Sequence, residues 1–447
     1  MKNISLTLLL VFTTTLLHAQ KKNSKKIDLE NLDYKRSSLY VMMAENPSMP
    51  YAKASFDGFY NSPFPEKYNN HTVGPKSFDF SSVQVEITNA DIAAQEAVDI
   101  ILGKGVLDVA GLDKKIAKYA KDNRIAAKMI AKWFGRDNKT GNFNTNLISE
   151  RGFYDASELE AAIAKSQAIG TSALGDAGEQ LIGKTFLTVN KFTAVDNKVL
   201  PQAIVAKEAL AVAQEMKATS AIEQKVKQQA VKAAQKTYDK LASGYSMVTQ
   251  AFLFQLSWND SISSIFYDEI WVDESTADQD RAERINAFNN TDLFSLKYIG
   301  KGKTTMAGPY YPGKKKGSEA DIIAEGTIQA LDKSYNKLAA KYADFAVKVP
   351  LLTGGKKPTA KIGMKEGVKN GDEYDVFEQR FDTKSNKTIY TKVATIKVDG
   401  KKGGIWDNRY SVTEKPSEEK GVSFTSFKGG SKKLYPGMLI QQKTKNK

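Results

Sequence analysis

Acid–base and metal chemistry have few candidate side chains in this sequence. The 447 residues include no cysteine and two histidines, His18 and His71. The lack of cysteine excludes disulfides, thiol nucleophiles and cysteine-ligated metal sites. His71 lies in the polar stretch Asn69–Thr72, which is typical of a surface loop, so we predict an exposed residue and not a base or ligand. With His71 as the sole candidate base beyond the N-terminal segment, we predict no catalytic triad, no metal site and no cofactor.

Carboxylates are the remaining candidates for catalysis, and six of them cluster in one short stretch. Paired acids of this kind cleave glycosidic bonds in glycan hydrolases. The spacing does not match the calcium-binding loop, in which oxygen ligands recur at alternate positions. We predict a solvated hairpin here and keep a carboxylate-based periplasmic glycan hydrolase as an alternative function. The six residues are Asp268, Glu269, Asp273, Glu274, Asp278 and Asp280.

Short patterns match two catalytic motifs in composition but not in order. Residues 178–185 fit the phosphate-binding pattern G-x-x-x-x-G-K-[ST], which requires a strand before it and a helix after it. Here the helical sequence comes first and a β-rich segment follows, so we predict a helix-to-strand turn. Ser334–Lys337 fits S-x-x-K and Lys139–Gly141 fits K-T-G, but penicillin-recognising hydrolases carry these motifs in the opposite order. We interpret both matches as coincidence.

Positive charge is the strongest chemical signal. The chain has 65 Lys and Arg against 51 Asp and Glu, a net charge of +14, and residues 355–447 hold 21 basic against 11 acidic residues. Such a surface attracts polyanions, so we predict contact with lipopolysaccharide, an anionic glycan, peptidoglycan or extracellular DNA. Alternatively, these lysines only keep the C-terminal part of the chain soluble and protect the edges of its strands. The candidate contact residues are Tyr310, Tyr311, Lys314, Lys315, Lys316, Lys401, Lys402, Lys432 and Lys433.

The first 20 residues have the pattern of a secretory signal peptide. Lys2 is followed by the mostly apolar run Ile4–Leu17, and His18–Gln20 then leads into a polar stretch. This order of a basic start, a short apolar run and a small-residue cleavage site predicts export. The run is shorter than the roughly 20 apolar residues that a spanning helix needs. We therefore expect a chain that begins near Lys21 and lies in the periplasm, at the outer membrane or outside the cell, with no later transmembrane segment.

Composition divides the rest of the chain into three parts. Residues 21–85 contain five prolines and many aromatic residues, which predicts a segment that clasps another domain and contributes one strand at Ser38–Met43. Residues 86–350 alternate helical and β-rich sequence and predict an α+β body of helices and antiparallel sheet. Residues 351–447 consist of short alternating segments separated by glycine turns, which is typical of a small β-barrel.

Within the body, residues 202–243 contain neither Gly nor Pro and predict a long helical insertion. Ser220–Glu223 matches a capping box, so we expect two helices broken at Thr219-Ser220. The insertion either projects towards a partner or covers the sheet. Further helices are predicted at 112–134 and 318–345, and strands at 184–192, 247–257, 264–272 and 293–299.

Several short stretches resemble two protein groups. The segments 36–40, 65–71 and 405–410 resemble a family of exported proteins from the Bacteroidetes, to which no activity is assigned, so that resemblance implies no site residues. Residues 360–376 are similar to the C-terminal small barrel of the flagellar assembly T protein. The resemblance implies a structural or assembly part of the cell envelope.

These patterns predict a non-enzymatic exported protein with a structural, assembly or binding role in the cell envelope. The alternatives are the glycan hydrolase and a module that binds a polyanion such as lipopolysaccharide or a glycan. The expected partner is an envelope protein or an anionic envelope polymer, without specific nucleic-acid recognition.

Overall fold

An open sheet and a closed barrel, together with helices on the sheet, organise this chain. The computed structural model describes residues 37–96, 109–144, 181–307, 318–382, 384, 387–401, 404–408 and 422–443. The predicted α+β class with a C-terminal β-barrel is confirmed. None of the helices in these ranges combines the length and the apolar character needed to cross a bilayer. The segment predicted as a signal peptide lies outside the described residues.

The open sheet has six strands, of which the central ones are long. The strands are β1 (Ser38–Glu45), β2 (Asn69–Asn70), β3 (Ser77–Asp79), β4 (Thr185–Asp196), β5 (Tyr245–Leu256) and β6 (Leu296–Ala307). Their order is β2-β1-β4-β5-β6, and β3 also pairs with β1. Strand β1 pairs in parallel with β2, β3 and β4, whereas β4, β5 and β6 are antiparallel. The segment predicted to clasp the body therefore contributes β1 to the body's own sheet.

Successive side chains of the central strands point alternately to two cores, one on each face of the sheet. On β1, Tyr40 and Met42 belong to one core, and Leu39 and Val41 belong to the other. Side chains of a strand point alternately to opposite faces, so a strand covered on both faces is apolar at nearly every position. All but the last residue of β1 are buried accordingly.

Helices cover both faces of the sheet. They are α1 (Ala52–Tyr60), α2 (Asn89–Glu96), α3 (Leu112–Asp122), α4 (Ile125–Trp133), α5 (Pro201–Glu215), α6 (Ala221–Ala242), α7 (Asp260–Ile265), α8 (Asp278–Asn290) and α9 (Glu319–Lys341). Side chains of α3 and α4 fill the core that contains Tyr40, and those of α1 and α9 fill the core that contains Leu39. The single helix predicted at 112–134 is broken, because Arg124 adopts a left-handed conformation with φ 52° between α3 and α4.

The strand predicted at 264–272 is wrong, and so is the carboxylate hairpin that included it. Helix α7 runs directly into a π-helical turn, Phe266–Ile270. The Asn259 side chain caps α7 by accepting a hydrogen bond from the backbone N–H of Ile262 at 3.0 Å. Phe266 and Ile270 are buried, whereas the three residues between them are exposed. Aromatic and branched residues favour strands, but here the apolar pair faces the core with helical spacing.

The predicted break in the helical insertion is confirmed between α5 and α6. The Ser220 hydroxyl accepts from the backbone N–H of Glu223, and the Glu223 carboxylate accepts from that of Ser220. Helices α5 and α6 pack along each other, and both contact the 3-10 turn Asn197–Val199. The sole buried residue of α6 is Ala242, at its C-terminal end. The insertion is therefore a projecting helical hairpin.

Helices α1 and α9 approach each other closely at Gly58. A β-carbon built at Gly58 would lie 2.4 Å from the carbonyl oxygen of Ala324 on α9. The neighbour is backbone, so no side-chain rotation can relieve the contact. Glycine is therefore required by the packing of the two helices and not by a turn.

We expect Gly58→Ala to lower the free energy of unfolding by about 1–3 kcal/mol, the usual cost of overpacking a core. Alanine has the higher helix propensity, so a loss of stability would isolate the packing effect. The measurement is urea unfolding, with Asp57→Ala on the exposed side of the same helix as the control. Equal stability of the two variants would contradict the close approach.

The C-terminal barrel is closed and antiparallel. Its strands are β7 (Lys348–Thr353), β8 (Thr359–Ala360), β9 (Glu373–Asp382), β10 (Lys387–Val398), β11 (Thr425–Lys428) and β12 (Leu439–Gln442). They pair in the order β10-β11-β8-β7-β12-β9, and β9 closes the barrel on β10. Val376, Ile396 and Phe427 are among the buried residues of its core. The barrel begins three residues before the predicted domain boundary at 351, and that boundary stays a prediction.

Candidate functional site

Two loops at one end of the barrel lie side by side. One loop, 354–358, joins β7 to β8, and the other, 429–438, joins β11 to β12. The backbone N–H of Gly355 donates to the carbonyl of Leu434 at 2.9 Å, and the N–H of Phe427 donates to the carbonyl of Pro358 at 2.9 Å. A β-carbon at Gly354 would lie 2.2 Å from the Leu434 carbonyl oxygen. The two loops are therefore held together by backbone contacts.

Each of the two loops carries a pair of adjacent lysines, and two more lysines lie on the neighbouring strands. Lys397 on β10 stands directly opposite Lys428 on β11 in the strand register. All six ammonium groups are on exposed residues, and none forms an ion pair within the described residues. We call this set the basic end of the barrel. It consists of Lys356, Lys357, Lys397, Lys428, Lys432 and Lys433.

Two acidic residues of the barrel form ion pairs with lysines outside the basic end. Asp375 on β9 pairs with Lys392 at 2.8 Å, and Glu373 pairs with Lys443 at 3.2 Å. Like charges placed opposite each other on a sheet repel and destabilise it. The basic end therefore concentrates unneutralised positive charge, which an anion would stabilise.

Of the nine predicted contact residues, Lys432 and Lys433 belong to the basic end. Lys401 is exposed but follows β10, in a turn whose Asp399 N–H donates to the Ser426 carbonyl near the start of β11. It thus lies at the opposite end of β11 from the loop that holds Lys432. Six of the predicted contacts lie outside the described residues: Tyr310, Tyr311, Lys314, Lys315, Lys316 and Lys402.

Four lysines of the basic end were missed as site residues. Lys356 and Lys357 follow Gly354-Gly355, and this glycine turn with a double lysine is the signal that could have identified them. Lys397 and Lys428 come together only through the pairing of β10 with β11. They are 31 positions apart along the chain, and sequence spacing does not indicate their register.

Two of the clustered carboxylates, Asp268 and Asp273, accept hydrogen bonds from neighbouring residues. Asp273 accepts hydrogen bonds from the Ser275 hydroxyl and the Trp271 indole N–H, and these bonds hold the pKa of Asp273 near 2. Asp268 accepts from the Ser264 hydroxyl at 3.1 Å on the same helical turn. Within the described ranges, no group of three or more His, Asp or Glu side chains is arranged to hold a metal ion.

The residues of the phosphate-loop match form a turn, as predicted for the part that is described. Leu181 and Ile182 are helical and β4 begins at Thr185. Lys184 forms an ion pair with Asp344 at 2.7 Å, and the Thr185 hydroxyl accepts from the Trp133 indole N–H at 2.7 Å. Both side chains thus make polar contacts within the fold.

The S-x-x-K match and the lone histidine are also structural. The buried Ser334 hydroxyl donates to the Leu331 carbonyl at 2.7 Å, within helix α9. The prediction that His71 is exposed is wrong, because only 2% of its surface is accessible. Its Nε2 donates to the carbonyl of Met129 at 3.0 Å, and its ring stacks on Trp133. The polar neighbours of His71 in sequence gave no sign of the helix that covers it.

No protein-family model matches the chain, and no curated protein is significantly similar to it. The function is therefore argued from the basic end of the barrel.

Proposed function

We propose that the protein is a non-enzymatic, exported protein of the cell envelope whose barrel binds an anionic polymer through the basic end. The observation that supports this most directly is the pair of adjoining loops, each with two neighbouring lysines. Lysines that serve only solubility can be spaced apart, which avoids mutual repulsion. Six grouped lysines without ion pairs within the described residues repel one another, which raises the free energy of the unbound protein. A bound polyanion relieves this repulsion, so the grouping favours binding.

The ring of Tyr435, whose hydroxyl donates to the Glu378 carboxylate at 3.2 Å, adds an exposed aromatic surface close in sequence to the lysines. Tyr435 lies two residues after Lys433 and is 40% exposed. An aromatic ring next to ammonium groups can pack against a sugar ring while the lysines contact phosphate or carboxylate groups. This arrangement favours an anionic glycan, such as lipopolysaccharide, over an anion without sugar rings.

Binding by the basic end should depend steeply on salt, since each contact releases a condensed counterion. If four lysines contact the polymer, the affinity should fall about 100-fold between about 50 and 200 mM salt. The measurement is titration of the full chain with lipopolysaccharide, soluble peptidoglycan fragments and DNA at both salt concentrations. Preference for lipopolysaccharide at both salts would support the proposal, and no binding at low salt would contradict it. Equal binding to all three polymers would indicate nonspecific attraction.

Export rests on the N-terminal sequence pattern and has its own test. We expect N-terminal sequencing of the protein from envelope fractions to begin near Lys21. A cytosolic protein that retained Met1 would contradict export while leaving polyanion binding in vitro open.

A further inference from the structure

A cavity lies where helix α9 and the segment 65–68 meet the barrel. Its volume is about 70 Å³. At about 10–15 Å³ for each water-sized group on this measure, the cavity holds about five to seven such groups. The cavity is remote in sequence from the lysines of the basic end, and the function proposed above makes no use of it. We call it the body–barrel cavity.

Two buried tyrosine hydroxyls in the wall of this cavity lack hydrogen-bond partners. Tyr335 on α9 is 6% exposed and Tyr374 on β9 is 1% exposed. Neither phenol oxygen has a partner within the part of the chain that the structure describes. A buried hydroxyl without a partner costs about 1–3 kcal/mol, and buried tyrosine hydroxyls usually find one. A polar group bound against the two hydroxyls would therefore remove this cost.

Asp332 adds a carboxylate that is similarly unengaged. It lies on α9 one turn before Asn336, lines the cavity, and forms no hydrogen bond or ion pair within the described ranges. The other charged groups of the wall are occupied. Lys365 pairs with Glu66 at 3.5 Å, and Glu366 accepts from the backbone N–H of Gly363 at 2.7 Å and from Asn408.

The charge of the wall is negative by one unit. Its acids are Glu66, Asp332 and Glu366, and its bases are Lys67 and Lys365. Lys67 donates to the carbonyl of Lys361 at 3.1 Å, which fixes its ammonium group on the barrel side. Burial raises the pKa of Asp332 to about 6, and the nearby Lys365 opposes this rise. Asp332 is partly buried, and Lys365 is already paired with Glu66, so the net negative charge of the wall favours a single added positive charge.

Apart from the amides of Asn336 and Gln442, the remaining wall of the cavity is largely apolar. Ala339 on α9, Val347 just before β7, and Val349 and Ile362 of the barrel line it. Such a surface suits methylene groups, and the phenol rings favour a cation at their faces. A chemically complementary ligand has a short alkyl chain that ends in an ammonium group.

We propose that the body–barrel cavity binds the primary ammonium end of an alkylamine, with Asp332 as its counterion and the hydroxyls of Tyr335 and Tyr374 as its hydrogen-bond acceptors. An ammonium group has three N–H donors, which matches the three unengaged oxygen-bearing side chains. The alkylamine is a free diamine or the side chain of a lysine, since both present the same end group.

The test is methyl NMR of the full chain, observing Val349 and Ile362, which line the cavity. We expect n-propylammonium to shift these resonances saturably at concentrations up to about 100 mM, because so small a ligand binds weakly. 1-Propanol has nearly the same shape without the charge and should bind at least tenfold more weakly. No saturable shift with n-propylammonium, or equal binding of 1-propanol, would overturn the proposal.

Variants locate the binding to the proposed groups. Asp332→Asn should weaken n-propylammonium binding at least tenfold, and Tyr335→Phe should weaken it severalfold, while Asp239→Asn on the exposed hairpin should leave it unchanged. Unchanged binding by Asp332→Asn would also overturn the proposal. Titration with 1,4-diaminobutane and with lysine amide distinguishes the two sources, since the tighter ligand identifies the natural class.

Discussion

Replacing Lys356, Lys357, Lys432 and Lys433 by glutamine is expected to lower the affinity of the full chain for lipopolysaccharide by about 100- to 1000-fold at low salt. Each lysine near an anionic surface contributes about 1 kcal/mol, and 1.4 kcal/mol corresponds to a factor of ten. The four side chains are exposed and have no ion pair within the described ranges, so their loss should leave the fold intact. The remaining binding should depend only weakly on salt, because few counterions are left to release.

A matched variant removes the same charge from another part of the chain. Lys225, Lys232, Lys236 and Lys240 lie on the exposed surface of α6, and their replacement by glutamine changes the net charge equally. With both variants compared at about 0.1 M salt, where charges more than about 10 Å apart are largely screened, we expect this variant to bind lipopolysaccharide within a factor of about three of the wild type. Equal losses in the two variants would show that net charge alone attracts the polymer. A larger loss in the α6 variant would place the binding surface on the hairpin.

The composition of the C-terminal part predicts that it is basic, but not where its charges meet. Lys356 and Lys432 are 76 positions apart, and they become neighbours because β8 pairs with both β7 and β11. Glycine turns and alternating residues predict the strands themselves, because both are local signals. The order of the strands around a barrel depends on long-range pairing, which one sequence does not reveal.

The two wrong predictions for the body, a strand at 264–272 and an exposed His71, have a related cause. Segment 264–272 is rich in residues that favour strands, but its apolar side chains, Phe266 and Ile270, face a core that lies on one side only. His71 appears exposed from its polar neighbours, yet helix α4 covers it and binds its ring nitrogen. In contrast, the capping box at Ser220 correctly predicts the start of α6, because a cap involves residues only three positions apart.

The body–barrel cavity could not be predicted from the sequence. Helix α9 shows an apolar stripe, and Asp332 follows Leu331 at the edge of that stripe. A carboxylate at such an edge is ordinarily solvated. Its burial arises from the barrel, whose residues at 347–349 and 362–366 close over the helix. Function of this kind depends on how two parts of the fold pack, and local sequence patterns do not contain that information.

The burial of Asp332 has a consequence for stability that its amide variant should reveal. The pKa of Asp332 rises from 3.8 to about 6, first because of burial and then through the carboxylates of Glu366 and Glu66, against the opposing charge of Lys365. The folded state therefore holds the proton more tightly than the unfolded state. The stabilising contribution of Asp332 to the free energy of unfolding is therefore fully present below about pH 4 and is lost as the pH rises to about 6.

We expect Asp332→Asn to match the wild type in unfolding free energy near pH 4 and to exceed it by about 3 kcal/mol at pH 7, since two pKa units correspond to about 2.7 kcal/mol. Urea unfolding of both proteins at the two pH values measures this difference. Asp344→Asn provides a control of opposite sign. The ion pair with Lys184 lowers the pKa of Asp344, so this variant should lose stability at pH 7 relative to pH 4. If the difference in unfolding free energy between Asp332→Asn and the wild type stayed constant from pH 4 to 7, Asp332 would be solvated. It could then not be the counterion of an ammonium group bound in the cavity.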